Sequence, residues 1–189
     1  MFERYTEQAR RAIFYARYEA SFNSAGAITA GHILVGIMRE GERRSVAVGF
    51  LKDHEMDLRS TLGISAPSGR APIDLMRQVP LDGDAKMALA YAAREADLDE
   101  SFYIHSDHLL RGILNFPNAA CTALQSISFD LARAREASKS LAKEFPRKKT
   151  IYHRLFGRPL RAHRDIYIKL LTFLVVTALA LLLIRWINH

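Results

Sequence analysis

Apolar residues recur along the chain at helical spacing, and the same series occurs twice. The first series is Ala9, Ala12, Ile13, Ala16 and Ala20, and the second is Ala85, Ala88, Leu89, Ala92 and Ala96. Spacings of three and four residues are typical of helices that bury one face, and no strand-like alternation of apolar and polar residues occurs. The pattern predicts an all-α protein. Thr6 and Asp82 precede the two series and are suited to cap helices at their amino ends.

The two series belong to a longer tandem repeat. The phrases "HILVGI" and "HLLRGI" begin at His32 and His108, and the same 76-residue offset relates the two alanine series. After the first phrase the offset falls to 73 residues, which places Leu58 on Leu131. A nearly constant offset predicts two copies of one structural unit. We therefore expect two pseudo-symmetric four-helix repeats, related by a pseudo-twofold axis, with both histidines at equivalent and largely buried positions.

The pattern divides the 189-residue chain into five segments. They are a first repeat (1–62), a linker with several Pro and Gly residues (63–79), a second repeat (80–145), a basic linker (146–165) and an apolar segment (166–187). Proline and glycine are frequent in connections between structural elements. Hydrophobic residues make up 49% of the chain, which is enough for a core. We expect one helical domain with an appendage.

The net charge of +7 is accounted for by residues 147–164 of the basic linker. Seven Lys and Arg residues and no acidic residue occur between positions 147 and 164, so the rest of the chain is balanced. DNA binding is one interpretation of such a stretch, but no helix-turn-helix or aromatic stacking pattern lies beside it. Contact with anionic lipid headgroups needs no further motif. We therefore expect lipid rather than nucleic acid as its partner.

The apolar segment has the features of a single transmembrane helix. Its 22 residues would extend roughly 33 Å as a helix. Lys169 and Arg185 can extend to the headgroups, and Tyr167 and Trp186 lie where interfacial aromatic residues are common. The basic residues precede the segment, and the amino terminus lacks the apolar run of a signal peptide. These features predict a tail-anchored, single-pass membrane protein with its repeats in the cytoplasm. The alternative is a buried helix, which would need a larger surrounding protein.

The sequence contains no recognisable catalytic constellation. His32 and His108 could form a metal pair or act as acid–base catalysts, but a third ligand and a His-Glu-x-x-His motif are missing. The alternative is that each imidazole is bonded to backbone near a helix start. Cys121 is the single cysteine and replaces Val48 of the first repeat, which favours a small core residue over a reactive thiol. We expect no enzymatic activity, no metal and no cofactor.

Three stretches of the first repeat resemble a known family. "FERYTEQARRAIFYARYEA", "HILVGIMREGE" and "FLKDHEMDL" look like the amino-terminal domain of the Clp/Hsp100 unfoldases, the double Clp repeat. The resemblance covers about residues 1–143 and is stronger in the first repeat. It implies an eight-helix domain that binds substrates or adaptor proteins and passes them to an attached AAA+ motor. The motor's G-x-x-x-x-G-K-[ST] loop does not occur in this sequence, and the predicted anchor stands in its place.

The resemblance also implies a ligand site. In the family a Thr-Glu pair precedes each repeated histidine, and the acids help to bind basic or phosphoarginine-bearing substrates. The first pair is replaced here by Ala30-Gly31, which has neither the cap hydroxyl nor the charge. The second pair is Ser-Asp. The family's other pocket threonine is kept in the first repeat, and an aspartate takes its place in the second repeat. The implied peptide-binding residues are Thr6, Asp82, Ser106 and Asp107. The structural alternative for the Ser-Asp pair is a helix N-cap followed by a favourable first-turn charge.

Two classes of function follow. The first is a membrane-tethered interaction module that binds a polypeptide substrate or adaptor, in support of a separate Clp ATPase. The second is a structural or regulatory single-pass membrane protein with no Clp-linked role, whose anchor associates with other membrane helices. Ala178 and Ala180 are small residues in the apolar segment, but it has no G-x-x-x-G motif for close helix pairing. The first class is therefore favoured.

Overall fold

The computed structural model describes residues 3–41, 46–67 and 79–144. Within these ranges the chain forms eight α-helices and no strands longer than isolated bridges. The helices are α1 Glu7–Phe22, α2 Ala30–Glu40, α3 Val46–Asp53, α4 Glu55–Leu62, α5 Gly83–Leu98, α6 Ser106–Leu114, α7 Ala119–Ser126 and α8 Leu131–Glu144. Helices α1–α4 and α5–α8 form the two repeats. The prediction of an all-α fold built from two four-helix repeats is confirmed for this part of the chain.

The predicted basic linker, 146–165, and transmembrane segment, 166–187, lie outside the described residues. Among the helices that the structure describes, none is both long enough and apolar enough to cross a bilayer.

Close packing of the first two helices is the central feature of each repeat. The alanines of α1 and α5 that form the apolar series are fully buried against α2 and α6. A Cβ atom on Gly36 would lie 2.2 Å from the carbonyl oxygen of Ala12, and one on Gly112 would lie 2.3 Å from that of Ala88. Glycine is therefore required at both positions because the facing backbone occupies the space of a side chain.

Two short backbone bridges connect the repeats. Tyr5 pairs with Ile104, and Ile28 pairs with Leu81, both in parallel orientation. In each bridge, one partner is the residue before the N-cap of the first helix of a repeat. The other partner lies in the loop before the second helix of the other repeat. A 76-residue shift converts one bridge into the other. This reciprocal pairing is what a pseudo-twofold relation between the repeats requires.

A buried glutamate on the first helix of each repeat holds three elements together. Glu19 is fully buried and accepts hydrogen bonds from Arg39 at 2.9 Å and Arg59 at 3.0 Å. Its counterpart Glu95 accepts from Arg135 at 2.6 Å, and also from an asparagine at the end of α6. A buried carboxylate must be paired because desolvation of an isolated charge is costly. Both glutamates therefore fix the fourth helix of their repeat against the first two.

The same arginines correct the register predicted for the last helix. Arg59 and Arg135 perform the same contact at an offset of 76 residues, and Leu58 corresponds to Ala134, both being 1% exposed. The alignment of Leu58 with Leu131 is therefore wrong. The 73-residue offset holds for α3 and α7 alone, because one residue separates α3 from α4 whereas four separate α7 from α8.

The second repeat buries additional charge. Arg111 occupies the place of the fully buried Val35, and its guanidinium pairs with Asp99 and, at 3.2 Å, with Glu95. Nε2 of His108 lies 3.1 Å from Oδ2 of Asp99. Burial alone would raise the pKa of Asp99, but the hydrogen bonds from His108 and Arg111 hold it well below its usual range. The two repeats thus share a backbone plan but differ in core polarity.

Substitution of the contact glycines tests the close packing. We expect Gly112→Ala to lower the free energy of unfolding by about 1–3 kcal/mol, because the added methyl group forces two helices apart. In a helix without this contact, replacement of glycine by alanine would instead stabilise the helix by about 1 kcal/mol. Gly49→Ala is the matched control, since a Cβ there meets no atom within 4 Å. Urea unfolding followed by circular dichroism measures both, and equal stability of the two variants would contradict the packing.

Acidification tests the Asp99 contacts. A carboxylate with a depressed folded-state pKa stabilises the fold above its unfolded-state pKa of about 3.9 and loses that effect as the pH falls toward the folded-state value. Asp99→Asn should therefore be less stable than the original chain at pH 7, and the difference should shrink below about pH 4. Asp97→Asn is the control because that carboxylate forms an exposed pair with Arg4. A difference for Asp99→Asn that does not change between pH 7 and pH 3 would contradict this account.

Candidate peptide-binding site

The bridges determine which of the predicted site residues are neighbours. The Thr6 amide donates to the carbonyl oxygen of Ile104 at 3.0 Å, so Thr6 lies beside the start of α6. The Asp82 amide donates to the carbonyl oxygen of Ile28 at 3.0 Å, so Asp82 lies beside the start of α2. The structure therefore groups Thr6 with Ser106 and Asp107 and places Asp82 at the pseudo-symmetric position.

Thr6 and Asp82 both cap helices, as the sequence predicts. The Thr6 hydroxyl accepts a hydrogen bond from the Ala9 amide at 3.2 Å, and Oδ1 of Asp82 accepts from the Ala85 amide at 2.7 Å. These contacts satisfy amide groups that have no partner within the helix. A ligand at either residue must use the remaining oxygen lone pairs or displace the cap.

Ser106 and Asp107 form the first turn of α6, but Ser106 does not cap it. The N-cap is His105, and Ser106 is 2% exposed. The interpretation of Ser106 as an N-cap is therefore wrong, because the helix begins one residue earlier along the chain than the hydroxyl suggested. Asp107 lies at a favourable position for the helix dipole. Its Oδ2 atom is 4.0 Å from a guanidinium nitrogen of Arg111, so a basic ligand would compete with that arginine.

The two histidines have a structural role at equivalent positions. His32 and His108 are 5% and 0% exposed. Nδ1 of His32 accepts the Thr29 amide at 3.1 Å, and Nδ1 of His108 accepts the His105 amide at 3.0 Å. Burial lowers the pKa of His32, which keeps the ring neutral and able to accept. The interpretation of both rings as backbone-bonded core residues is confirmed. Among the described residues, no group of three or more His, Cys, Asp or Glu side chains could hold a metal ion.

The first repeat keeps a hydroxyl cap that the sequence comparison missed. Thr29 is the N-cap of α2, and its hydroxyl accepts the His32 amide at 3.3 Å. The expectation that Ala30-Gly31 leaves this helix without a cap hydroxyl is therefore wrong, since the hydroxyl lies one residue earlier. A Cβ on Gly31 would lie 3.2 Å from Cδ2 of Leu62, so a larger residue there requires a small shift of that leucine.

An open apolar cleft of about 370 Å³ lies beside the Ile28–Leu81 bridge. It is lined by Arg10, Ile13, Phe14, Arg17, Ile28, Val79 and Leu81. Phe14 is 54% exposed, although large aromatic side chains are usually buried. The signal in the sequence was the Arg-x-x-x-Phe-x-x-Arg spacing, which places these three side chains on the outer face of α1. Asp82, one of the predicted site residues, directly follows the lining residue Leu81 in the chain.

The positions equivalent to the cleft are more buried at the other bridge. The counterpart of Leu81 is Tyr5, which is 8% exposed, and burial raises the pKa of its hydroxyl. The counterpart of Ile13 is Leu89, which is 7% exposed, whereas Ile13 is only partly buried. The apolar residues at the Tyr5–Ile104 bridge are therefore less accessible to a ligand than those at the Ile28–Leu81 bridge.

Known proteins of similar sequence include Clp protease ATP-binding subunits and uncharacterised proteins. The chain is 31% identical over 147 residues to a probable ATP-dependent Clp protease ATP-binding subunit of Chlamydia pneumoniae. It is 28% identical over 137 residues to a ClpA homolog of Guillardia theta. These matches cover 76% and 71% of this chain but only 17% and 16% of the relatives. An uncharacterised protein of Mycobacterium tuberculosis, Rv2667, is 29% identical over 113 residues. No protein-family model matches the chain.

Solved structures share the fold. The amino-terminal domain of the chaperone ClpD from Arabidopsis thaliana matches 76% of this chain and 97% of its own, with a TM-score of 0.58 and 19% identity. The Hsp104 amino-terminal domain of Candida albicans matches 78% of this chain and 94% of its own, with a TM-score of 0.57 and 16% identity. The chain therefore has the fold of Clp amino-terminal domains, and its sequence is similar to Clp ATP-binding subunits.

Proposed function

We propose that this protein is a membrane-tethered interaction module that binds polypeptide segments through the cleft of the first repeat. The open apolar cleft carries the proposal. Ligand sites are concave, mostly apolar and bordered by a few polar groups. The cleft has an apolar lining with two arginines, and an aspartate cap directly follows the lining residue Leu81 in the chain. An apolar side chain of the ligand enters the cleft, and polar groups at the rim orient the peptide.

The carboxylates select among polypeptide ligands. Asp82 follows Leu81 of the cleft lining in the chain, whereas Asp107 lies with Thr6 and Ser106 at the other bridge. Each carboxylate attracts a basic group on the ligand, and Asp107 does so against the competition of Arg111. Because its local competitor is a backbone amide rather than a cation, Asp82 is the stronger attractor of the two.

The partners follow from the relatives. The similar proteins are ATP-binding subunits of ATP-dependent Clp proteases, and this chain spans about one sixth of their length. A separate Clp ATPase is therefore a fitting recipient for polypeptides held by this module. The protein itself performs no hydrolysis and needs no cofactor in this proposal. The apolar segment 166–187 tethers the module to a membrane, and the basic residues before it contact anionic lipid.

A substitution taken from the other bridge tests the cleft. Leu81→Tyr introduces the residue that occupies the equivalent position there, so the variant should fold. We expect it to weaken binding of a fluorescein-labelled Gly/Ser peptide with a central Leu-Phe-Leu by about tenfold. Loss of burial for one such side chain corresponds to about 1.5–3 kcal/mol. Fluorescence anisotropy with the full chain measures the affinity.

The controls separate cleft binding from general loss of structure. A peptide with alanines in place of Leu-Phe-Leu should bind weakly to both proteins. Asp82→Asn retains a capping oxygen and should weaken binding of a peptide that carries an added arginine, with no effect on the neutral one. Equal affinity of the original chain and Leu81→Tyr for the Leu-Phe-Leu peptide would remove the cleft from the proposal.

Protease accessibility tests the topology. If the basic linker precedes a single anchor with the repeats in the cytoplasm, protease added to sealed spheroplasts should leave the repeats intact. Permeabilised spheroplasts are the control and should show digestion. Digestion from outside would reverse the orientation, and recovery of the protein in the fraction not bound to membranes would contradict the anchor.

A further inference from the structure

A second surface, on the outer face of α5, differs from the cleft in position and composition. Met87 is 45% exposed and Leu98 is 60% exposed, although both are large apolar side chains. Tyr91 lies one turn after Met87, and its ring stacks on Phe116 with centroids 5.6 Å apart. We call Met87, Tyr91, Leu98 and Phe116, together with Arg94 between them, the α5 stripe. It presents apolar area along three helical turns.

The equivalent positions of the first repeat carry charged side chains instead of apolar ones. The counterparts of Met87 and Phe116 are Arg11 and Glu40, which form an ion pair with nitrogen–oxygen distances of 2.7 and 3.0 Å. This pair demonstrates that the two positions face each other across the first two helices of a repeat. The second repeat has two apolar side chains at the positions of this ion pair, and among the described residues nothing is shown covering Met87.

The charges beside the stripe define its partner. Lys86 and Arg94 are exposed and have no ion pair with the described part of the chain. The exposed acids of α5 lie toward its two ends: Asp84 is in the first turn, and Asp97 is paired with Arg4 at 2.7 Å. The third acid, Glu95, is buried. The middle of the stripe is therefore apolar and carries the cation Arg94, and Lys86 lies beside its first residue. Its complement is an apolar surface bordered by carboxylates.

We propose that the α5 stripe binds an amphipathic helix of a partner polypeptide, with aliphatic residues on one face and glutamates or aspartates beside them. Met87 and Leu98 are eleven residues apart, which corresponds to roughly 16 Å along a helix axis. A partner helix of about three turns matches that length and can place residues at i, i+3, i+4 and i+7 on the stripe. Lys86 and Arg94 pair with its carboxylates.

A bilayer is a poorer fit to the same surface. The stripe is one helix face wide, and only Lys86 and Arg94 lie beside or within it without an ion pair in the described part of the chain, whereas Asp84 and Asp97 at its ends would meet anionic headgroups of like charge. Charged membrane-surface helices gain their affinity from many basic residues on the polar face. One bound helix covers the apolar residues of the stripe without burying those two acids.

An ion-pair graft from the first repeat tests the proposal. The probe is a fluorescein-labelled 14-residue peptide with leucines at i, i+3, i+4 and i+7 and glutamates at the flanking positions. The full-length double variant Met87→Arg/Phe116→Glu recreates the Arg11–Glu40 pair and should weaken binding at least tenfold. Arg94→Glu, at an exposed position that leaves the core unchanged, should weaken binding of this probe and strengthen binding of a version with lysines for glutamates.

Leu81→Tyr distinguishes this surface from the cleft, because it should leave binding of the amphipathic probe unchanged. Vesicles of phosphatidylserine and phosphatidylcholine are tested in parallel. Equal binding of the glutamate and lysine probes to the original chain would overturn the proposal. So would unchanged affinity of Arg94→Glu for both probes. A loss of vesicle binding in Arg94→Glu, with peptide binding retained, would assign the stripe to a membrane surface instead.

Discussion

The contact between glycine on one helix and backbone on another is the constraint on which this fold depends. At Gly36 and Gly112 the facing carbonyl oxygens lie where a methyl group would otherwise be. That distance is attainable only if the facing helix carries alanines, and α1 and α5 supply them at every buried turn. Once the first two helices of a repeat are this close, the buried glutamate on α1 or α5 is within reach of the arginine that fixes the fourth helix. Helix pairing and charge burial are therefore parts of one arrangement.

The two repeats use this arrangement for different surfaces. The first keeps an open cleft at its bridge and closes its outer face with Arg11 and Glu40. At the other bridge the equivalent residues, Tyr5 and Leu89, are buried, and the outer face of the second repeat is apolar. Each repeat consequently serves as an internal reference for the other, because a side chain accommodated in one copy indicates what the other copy can accept. The asymmetry places two dissimilar surfaces on a symmetric framework.

Much of the fold could be predicted from the sequence because the spacing of small residues and the repeated phrases are local signals. The helix caps Thr6 and Asp82 and the buried histidines follow from such signals. The register of α8 could not be predicted from the sequence. The second repeat is three residues shorter than the first before α7 and three residues longer after it, which leaves a short stretch whose alignment is ambiguous. The cleft and the network around Arg111 depend on which side chains from distant segments meet. An arginine within "HLLRGI" gives no indication in sequence that Glu95 and Asp99 will surround it.

The reciprocal bridges have a consequence for the origin of the domain. Because Tyr5 and Leu81 each form a bridge with the opposite repeat, a lone repeat would lack a partner for its entering segment and for the loop before its second helix. Two identical copies could satisfy each other in the same way, as an isologous dimer with true twofold symmetry does. The present chain has the architecture of such a dimer joined end to end by duplication. The two halves of one chain need not be identical, because each substitution affects one side of the axis alone.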